Sequence, residues 1–285
     1  MNNKKTRREF IQLASLGAAS LTAASISITS PVLAASTNSD VKIPFKLGMA
    51  SYSLREFPTE KAIEMTNRLG LKYIAFKSMH LPLKSTPEQI KKIAAKVRDA
   101  GIELYGAGVV YMNSPQEVDQ AFEYAKAAGM KVLIGVPKHE LLPMVDKKVT
   151  QYDIKVAIHN HGPGDEMYPT PKSIYEKVKD LDPRIGLCVD IGHTQRMGID
   201  PAGEIEKYKD RVLDVHLKDV DKAAAEGTTL EMGRGIIDIP KVLRTLIKIK
   251  FSGIASFEFE KDGNDPLVGM AESVGYTHGA LAVIA

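Results

Sequence analysis

The stretch "KVAIHNHGPGDEMYPTPKSIYEKVKDLDPRIGLCVDIGH" (155–193) holds one complete structural unit. It opens with an apolar run ending in two histidines and closes with a second apolar run that reaches Asp190. Between them Thr170 and Pro171 read as the N-cap and first residue of a helix, followed by a segment of helical period. A strand, a helix and a second strand at this spacing make a parallel β/α unit. The design repeats in both directions. "TPEQIKKIAAKVRDAG" begins with Thr86 and Pro87 and stops at Gly101, and "SPQEVDQAFEYAKAAG" runs from Ser114 to Gly129. Candidate strands fall at 46–53, 73–78, 103–110, 131–137, 155–161, 185–193, 212–220 and 253–260. Eight such units predict closure into a single (β/α)8 TIM barrel, an α/β fold. An open doubly wound sheet is the structural alternative. It is disfavoured because no G-x-G-x-x-G turn follows the first strand.

The barrel is expected to occupy residues 35–285, because residues 1–34 read as an export signal. A basic "MNNKKTRREFIQ" leads into the uncharged "LASLGAASLTAASISITSPV" and then "VLA", whose Val32 and Ala34 fit a small-residue cleavage site. Arg7 and Arg8 followed by Phe10 and Ile11 resemble the twin-arginine (Tat) signal, although Gln12 stands where Lys is common. This implies Tat machinery as a partner, a periplasmic or otherwise exported bacterial protein, and no stable membrane insertion after cleavage. The uncharged stretch is too weakly apolar to favour a spanning helix.

The whole chain has 38 basic and 35 acidic residues and a net charge of +3. Lys4, Lys5, Arg7 and Arg8 against Glu9 account for that excess, leaving 34 of each sign in the remainder. A neutral body offers no electrostatic case for nucleic acid or anionic membrane. A single cysteine, Cys188, rules out an intramolecular disulfide.

In a parallel barrel the functional groups collect at the carboxyl ends of the strands. His80, His139, His159, His161, His193 and His216 all fall in or after candidate strands, and only His278 lies elsewhere. Asp190 in "LCVDIGH" and Glu258 in "IASFEFE" interrupt apolar strands, and a buried carboxylate is costly unless paired or metal-bound. His159, Asp190, His216 and Glu258, one from each of the last four strands, therefore form a candidate metal set. Mixed imidazole and carboxylate ligands suit transition metals better than Ca²⁺. One divalent metal is expected, Mn²⁺ first, with Co²⁺, Fe²⁺, Zn²⁺ or Mg²⁺ as alternatives. A structural network of His–carboxylate hydrogen bonds is the competing reading. His161 shares a strand face with His159 and should look into the same pocket. Lys218, two residues after His216, is a candidate for holding a substrate oxygen, with a salt bridge to Asp219 or Asp190 as the alternative. Lys77, His80, His193 and Arg234 are candidate substrate-binding residues, His193 also as a group that orients Asp190. Arg55 divides between substrate contact and surface.

"VDIGH", "DVHLKDV", "MGRGIIDIPKVLRTL" and "GIASFEFE", in this order and spacing, resemble the xylose isomerase-like TIM-barrel superfamily of sugar isomerases and epimerases. The resemblance implies one divalent metal held by Glu, Asp, His and Glu from strands 5 to 8. Asp190, His216 and Glu258 match in kind, whereas "IHNH" puts His159 where the family has a glutamate. It also implies an acid/base pair of glutamates acting beside a metal-polarised carbonyl, of which only Glu258 is kept. His161 and Lys218 are then the other candidate catalytic groups.

The resemblance thus implies an isomerase or epimerase that removes a proton α to a carbonyl of a non-phosphorylated sugar, since export argues against cytoplasmic sugar phosphates. The alternative is a lyase or hydratase acting on 3-keto-glycosides by β-elimination, because some relatives with an "HNH"-like strand 5 resemble such enzymes. A second alternative is a non-catalytic periplasmic sugar-binding barrel. The superfamily's AP-endonuclease branch is disfavoured, because "GAGVVYMNS" and "DVDKAAAEGTT" lack the extra histidines of its trinuclear zinc site.

Overall fold

The computed structural model describes residues 43–284, so the expected signal and its cleavage point lie outside the described residues. Eight parallel strands close into a barrel: β1 (Lys46–Ala50), β2 (Tyr73–Phe76), β3 (Glu103–Met112), β4 (Val132–Pro137), β5 (Lys155–His159), β6 (Ile185–Asp190), β7 (Val212–Leu217) and β8 (Ile254–Phe257). Neighbours in sequence are neighbours in space, and β1 pairs with β8 from Lys46↔Ile254 to Met49↔Phe257. That last pairing excludes the open sheet. Helices α1 (Thr59–Arg68), α2 (Pro87–Asp99), α3 (Pro115–Ala128), α4 (Leu142–Tyr152), α5 (Pro171–Val178), α6 (Ile191–Arg196), α7 (Pro201–Lys207), α8 (Ile239–Lys248) and α9 (Leu267–Ile284) fill the connections and the C-terminal end. None among the described residues is long and apolar enough to cross a membrane.

The helix starts follow the local chemistry. Thr86, Ser114 and Thr170 each accept a backbone N–H from the third residue of their helix, and proline occupies the first helical position in all three. Each cap satisfies a donor that the helix itself cannot, worth about 1 kcal/mol. At the other end of the barrel Arg211 donates to the carbonyls of Lys179, Leu181, Asp182 and Ile185 and ties the α5–β6 turn to β7.

Strand alternation divides the chain into two apolar layers. Ile158, Leu187, Val189, Val215, Leu217, Ala255 and Phe257 face outward into the main core beneath the helices. The intervening positions face the barrel axis, where Ala75, Tyr105, Ile134, Ala157, Cys188 and Ile254 form a small inner plug. Further along the inward faces come His159 and Asp190, two residues after Ala157 and Cys188, together with His216 and Glu258. The inner plug is therefore the floor on which the polar site stands.

Several strands are shorter than their apolar runs. β6 stops at Asp190 because its carboxylate accepts the His193 N–H at 2.7 Å and starts α6, so His193 lies on a helical turn. The run expected as strand 7 ends at Leu217; Asp219 and Val220 form a separate antiparallel pair with Leu230 and Thr229. β1 gives way at Ser51 to one 3-10 turn. β3 instead runs on to Met112, which pairs with Pro137 at the end of β4.

Candidate active site and metal centre

One ligand atom from each of His159, Asp190, His216 and Glu258 lies within 4.8 Å of the other three, and all four residues are buried. His159 Nε2 stands 3.1 Å from His216 Nδ1, 3.5 Å from Asp190 Oδ2 and 4.0 Å from Glu258 Oε2, and His216 Nδ1 is 3.3 Å from Glu258 Oε2. Two imidazoles and two carboxylates converging from four adjacent strands form a donor set of the kind that holds Zn²⁺, Fe²⁺, Co²⁺ or Mn²⁺. Asp190 Oδ2 supports that fit, because it is buried and accepts no well-directed hydrogen bond.

Two of the donors, Asp190 and His216, have polar neighbours outside the cluster. Asn160, between the two histidines, accepts the Asp190 N–H at 3.0 Å and donates to Thr194 Oγ1 at 3.2 Å, locking β5 to β6. Asp214 approaches the far nitrogen of His216 to 4.0 Å from the layer below, where burial pushes its carboxyl up to about 7. A carboxylate behind a ligating imidazole is a common way of orienting the ring, and Asp214 stands where it can do so for His216. Period two on β7 places it on the face of His216 and Lys218, a signal carried by "VLDVHLK" although Asp214 is not among the residues expected at the site.

Lys218 makes the salt bridge to Asp190 that stood as the alternative to substrate contact, and two more besides. Its Nζ sits 3.1 Å from Asp190 Oδ2, 2.9 Å from Glu258 Oε2 and 2.7 Å from Glu260 Oε1, with the residue only 2% exposed. Burial opposes its charge, but Asp190, Glu258 and Glu260 more than compensate and raise its pKa well above the usual lysine range. Burial likewise opposes ionisation of Glu258, and Lys218 and His216 overcome it, holding the carboxyl well below its ordinary value. For Asp190 the same penalty is overcome by the His193 ring and Lys218. Gly192 makes room for this lysine, since a Cβ there would come within 2.8 Å of Lys218 Cγ and Cδ. Asp219, the other carboxylate that its place beside Lys218 suggested as a partner, turns away. It accepts the N–H groups of Val220, Gly233, Gly235 and Ile237 and so folds the "MGRGI" segment.

Above the cluster lies a cavity of about 350 Å³ lined by Tyr52, Lys77, Val109, Tyr111, His159, His161, His193, Glu258 and Glu260. His161 Nδ1 is 3.2 Å from Asp165 Oδ2, and its Nε2 is 3.3 Å from the Tyr111 hydroxyl, whose ring stacks on the imidazole. Asp165 stands within ion-pair range of Nδ1 without a well-directed hydrogen bond, so the Tyr111 hydroxyl at Nε2 is the hydrogen-bond partner of the ring. Burial lowers the His161 pKa, which keeps the ring neutral. Burial also takes His159 and His193 down to about 4. Arg196 approaches His193 Nδ1 at 3.2 Å, which assigns the proton to Nε2 as a donor.

Of the expected substrate-binding residues, Lys77 and His193 line the cavity, and His80 and Arg234 do not. His80 is 2% exposed; its ring meets Ser51 Oγ at 2.9 Å and the Leu54 and Phe57 carbonyls at 3.2 Å, bracing the turn after β1. Arg234 pairs with Glu272 at 2.7 Å on an exposed face, in a separate depression with Glu231 and Asp262. His139 contacts the Met167 carbonyl and packs edge-on against Tyr168. Arg55 is held by the Tyr52 and Glu260 carbonyls. Tyr52, Tyr111 and Glu260 reach the cavity although the sequence does not single them out. Glu260 is legible by alternation from Glu258, whereas Tyr111 depends on β3 extending further than its apolar run.

The model of the xylose isomerase-like TIM barrel family matches residues 59–278. The chain belongs to this family. Among curated proteins, it is 27% identical over 133 residues to the rhizopine catabolism protein MocC of Rhizobium meliloti, covering 41% of this chain and 40% of that protein. It is 28% identical over 138 residues to inosose dehydratase of Bacillus velezensis, covering 42% and 45%. The chain thus spans less than half the length of these relatives. Among solved structures it resembles IolI with a bound zinc atom (TM-score 0.69, 19% identity, 84% of this chain and 98% of that one). It also resembles 3-keto-D-glucoside 4-epimerase from E. coli (TM-score 0.66, 13% identity, 82% and 99%). At these identities the likeness to solved structures establishes the fold.

Proposed function

We propose that this protein is a metal-dependent enzyme that removes a proton from the carbon beside a carbonyl of a non-phosphorylated sugar. The observation that carries the reading is the convergence of His159, Asp190, His216 and Glu258 directly beneath a cavity lined by neutral imidazoles. A divalent metal held by these four residues would polarise the carbonyl oxygen and lower the cost of negative charge developing there. The set does not single out Mn²⁺, and the zinc in the related IolI structure makes Zn²⁺ an equal candidate.

His161 Nε2 is the proton acceptor in this scheme. It faces the cavity beside the Tyr111 hydroxyl, Asp165 lies 3.2 Å from its other nitrogen, and its lowered pKa keeps the ring unprotonated. Glu258 is committed to Lys218 and His216 and serves as a ligand, a narrower role than the acid/base function its sequence position suggested. Lys218 does not line the cavity and acts by neutralising Asp190 and Glu258 instead of touching sugar. His193 Nε2–H and Lys77 Nζ are donors for sugar oxygens.

Return of the proton to the same carbon on the opposite face gives epimerisation and its return to the former carbonyl carbon gives isomerisation, the outcomes suggested by the family resemblance. His159 in place of a second glutamate favours another outcome, in which the same proton loss expels a group from the adjacent carbon. The inosose dehydratase relative is named for a reaction of that eliminating type. Metal analysis of purified protein tests the reading. The expected result is one divalent ion per chain, lost together with sugar binding in His216→Ala. A protein that takes up no divalent metal, and whose His216→Ala variant binds sugar normally, is a non-catalytic binder. Incubation in D₂O then separates the outcomes: free ketoses gain carbon-bound deuterium in one, and 3-keto-glycosides release their aglycone in the other. Export through the Tat route remains part of the proposal, tested by comparing periplasmic and cytoplasmic fractions for a chain shortened by 34 residues.

A further inference from the structure

Helix α9 (Leu267–Ile284) has no lysine or arginine among its 18 residues and one carboxylate, Glu272. Its inner face, with Met270, Val274, Thr277 and Leu281, is buried, and Ser273 Oγ there accepts the Met232 N–H at 3.2 Å. A surface helix with one buried face normally turns charged residues outward. This one does not. Val268, Ala271, Gly275, Gly279, Ala282 and Val283 lie along its outer face, with Val268 72% and Val283 84% exposed. Tyr276, whose ring lies over Gly233, extends the apolar strip to one side. A helix apolar on both faces is stable when both are covered. The glycines are an independent sign. Glycine is a poor helix former, and a Cβ built on Gly275 or Gly279 meets nothing within 4 Å, so no contact among the described residues accounts for either. On an outer face, glycine lets another backbone come close.

The two polar groups of the strip identify the occupant. Glu272 and His278 stand three residues to either side of Gly275, on opposite flanks of the strip at about 100° per residue. When two such helices pack antiparallel about a two-fold axis through Gly275, a residue before it faces the residue equally far after it in the other copy. Glu272 then meets His278, Val268 meets Ala282, and Ala271 meets Gly279. A carboxylate opposite an imidazole, and a larger side chain opposite a smaller one, make the strip its own complement. A membrane surface would instead call for lysines and arginines flanking the apolar face, which α9 lacks.

We propose that this strip is the interface of a two-fold symmetric dimer, with α9 packed antiparallel on α9 of a second copy and the closest approach at Gly275. Arg234, 2.7 Å from Glu272, remains on the same carboxylate at the edge of the interface. The dimer is independent of the metal set and of the reaction assigned to it.

Sedimentation equilibrium of the purified protein over a concentration series, with thermal melts of dilute samples, tests this. The expected result is a reversible dimer with a Kd in the micromolar range or tighter. Gly275→Leu fills the space between the two backbones and should raise that Kd about tenfold or more. Diluted to monomer, the same variant should melt at or above the parent, because leucine is the better helix former and meets nothing in its own chain. His278→Glu sets carboxylate against carboxylate and should also raise the Kd about tenfold. Adding Glu272→His exchanges the two groups and should return the Kd to within about threefold of the parent's. A protein that stays monomeric throughout the series, whether or not it sediments with anionic phospholipid vesicles, overturns the dimer. So does a dimer indifferent to Gly275→Leu, or a double exchange that fails to rescue His278→Glu.

Discussion

Lys218→Met tests the charge balance of the site. The ammonium lies within 3.1 Å of three carboxylate oxygens, two of which belong to the metal set. Methionine keeps most of the stem beside Gly192 and removes the charge. In the metal-free protein Asp190 and Glu258 are then left buried with less compensation, and removal of one partner from a buried ion pair costs about 3–5 kcal/mol. For a domain of this size that corresponds to a melting point lowered by roughly 6–20 °C, at about 2–4 °C per kcal/mol. Metal binding should move in the opposite direction. Unit charges about 4 Å apart interact by about 4 kcal/mol at an effective dielectric of 20. If a third of that repulsion between the ammonium and an incoming cation is relieved, affinity rises about tenfold. Because ligand binding stabilises the folded state, saturating metal should recover more melting temperature in the variant than in the unaltered protein. Thermal melts with and without metal, together with chelator competition for Zn²⁺ and Mn²⁺, give both quantities. A variant that melts within about 2 °C of the parent without metal, or that binds metal more weakly, refutes the assignment.

Three further outcomes follow from individual contacts. His161→Gln should slow carbon-bound deuterium exchange by about 10²–10⁴-fold, the usual worth of a positioned base, with metal content unchanged by elemental analysis; unchanged exchange removes His161 as the acceptor. Asp219→Ala leaves the Val220, Gly233, Gly235 and Ile237 N–H groups without their acceptor and should cost about 2–4 kcal/mol, with faster hydrogen exchange confined to residues near 231–238; protection equal to the parent's there refutes it. Burial lowers the His80 pKa, so the unfolded chain binds that proton first as pH falls. The stability it contributes is complete above the ordinary histidine range and lost below it, and His80→Gln should therefore lose less melting temperature than the parent between pH 7.5 and 5.5. An identical acid dependence in the two proteins contradicts this.

The barrel was legible because its signals are local and repeated: caps at Thr86, Ser114 and Thr170, and apolar runs at regular spacing. The convergence of His159, Asp190, His216 and Glu258 was legible because a carboxylate in an apolar strand has few stable environments, and alternation puts residues two apart on one face. What escaped were consequences of closure. Asp190 could not be seen as a helix cap that ends β6, because an N-cap and a strand interior look alike when the residues on both sides are apolar. His80 and His193 each follow a strand, but only the turn geometry sends one ring into the wall beside Ser51 and the other into the cavity. Lys218 carried a sugar-binding expectation because a lysine at a strand end is normally solvated; Asp190 from the end of β6 and Glu258 and Glu260 from the segment after β8 enclose it only once the barrel closes. Arg234 sits in a segment whose path is set by Asp219, a carboxylate with no visible partner in the linear chain.

Deuterium exchange into a 3-keto sugar in D₂O, followed by NMR with metal-loaded and chelator-stripped protein, tests the central claim most directly. Exchange at the carbon beside the carbonyl that requires the metal, and disappears in His216→Ala, is the predicted result. Exchange that proceeds equally without metal, or none in the metal-loaded protein, would contradict a metal-assisted proton abstraction at His159, Asp190, His216 and Glu258.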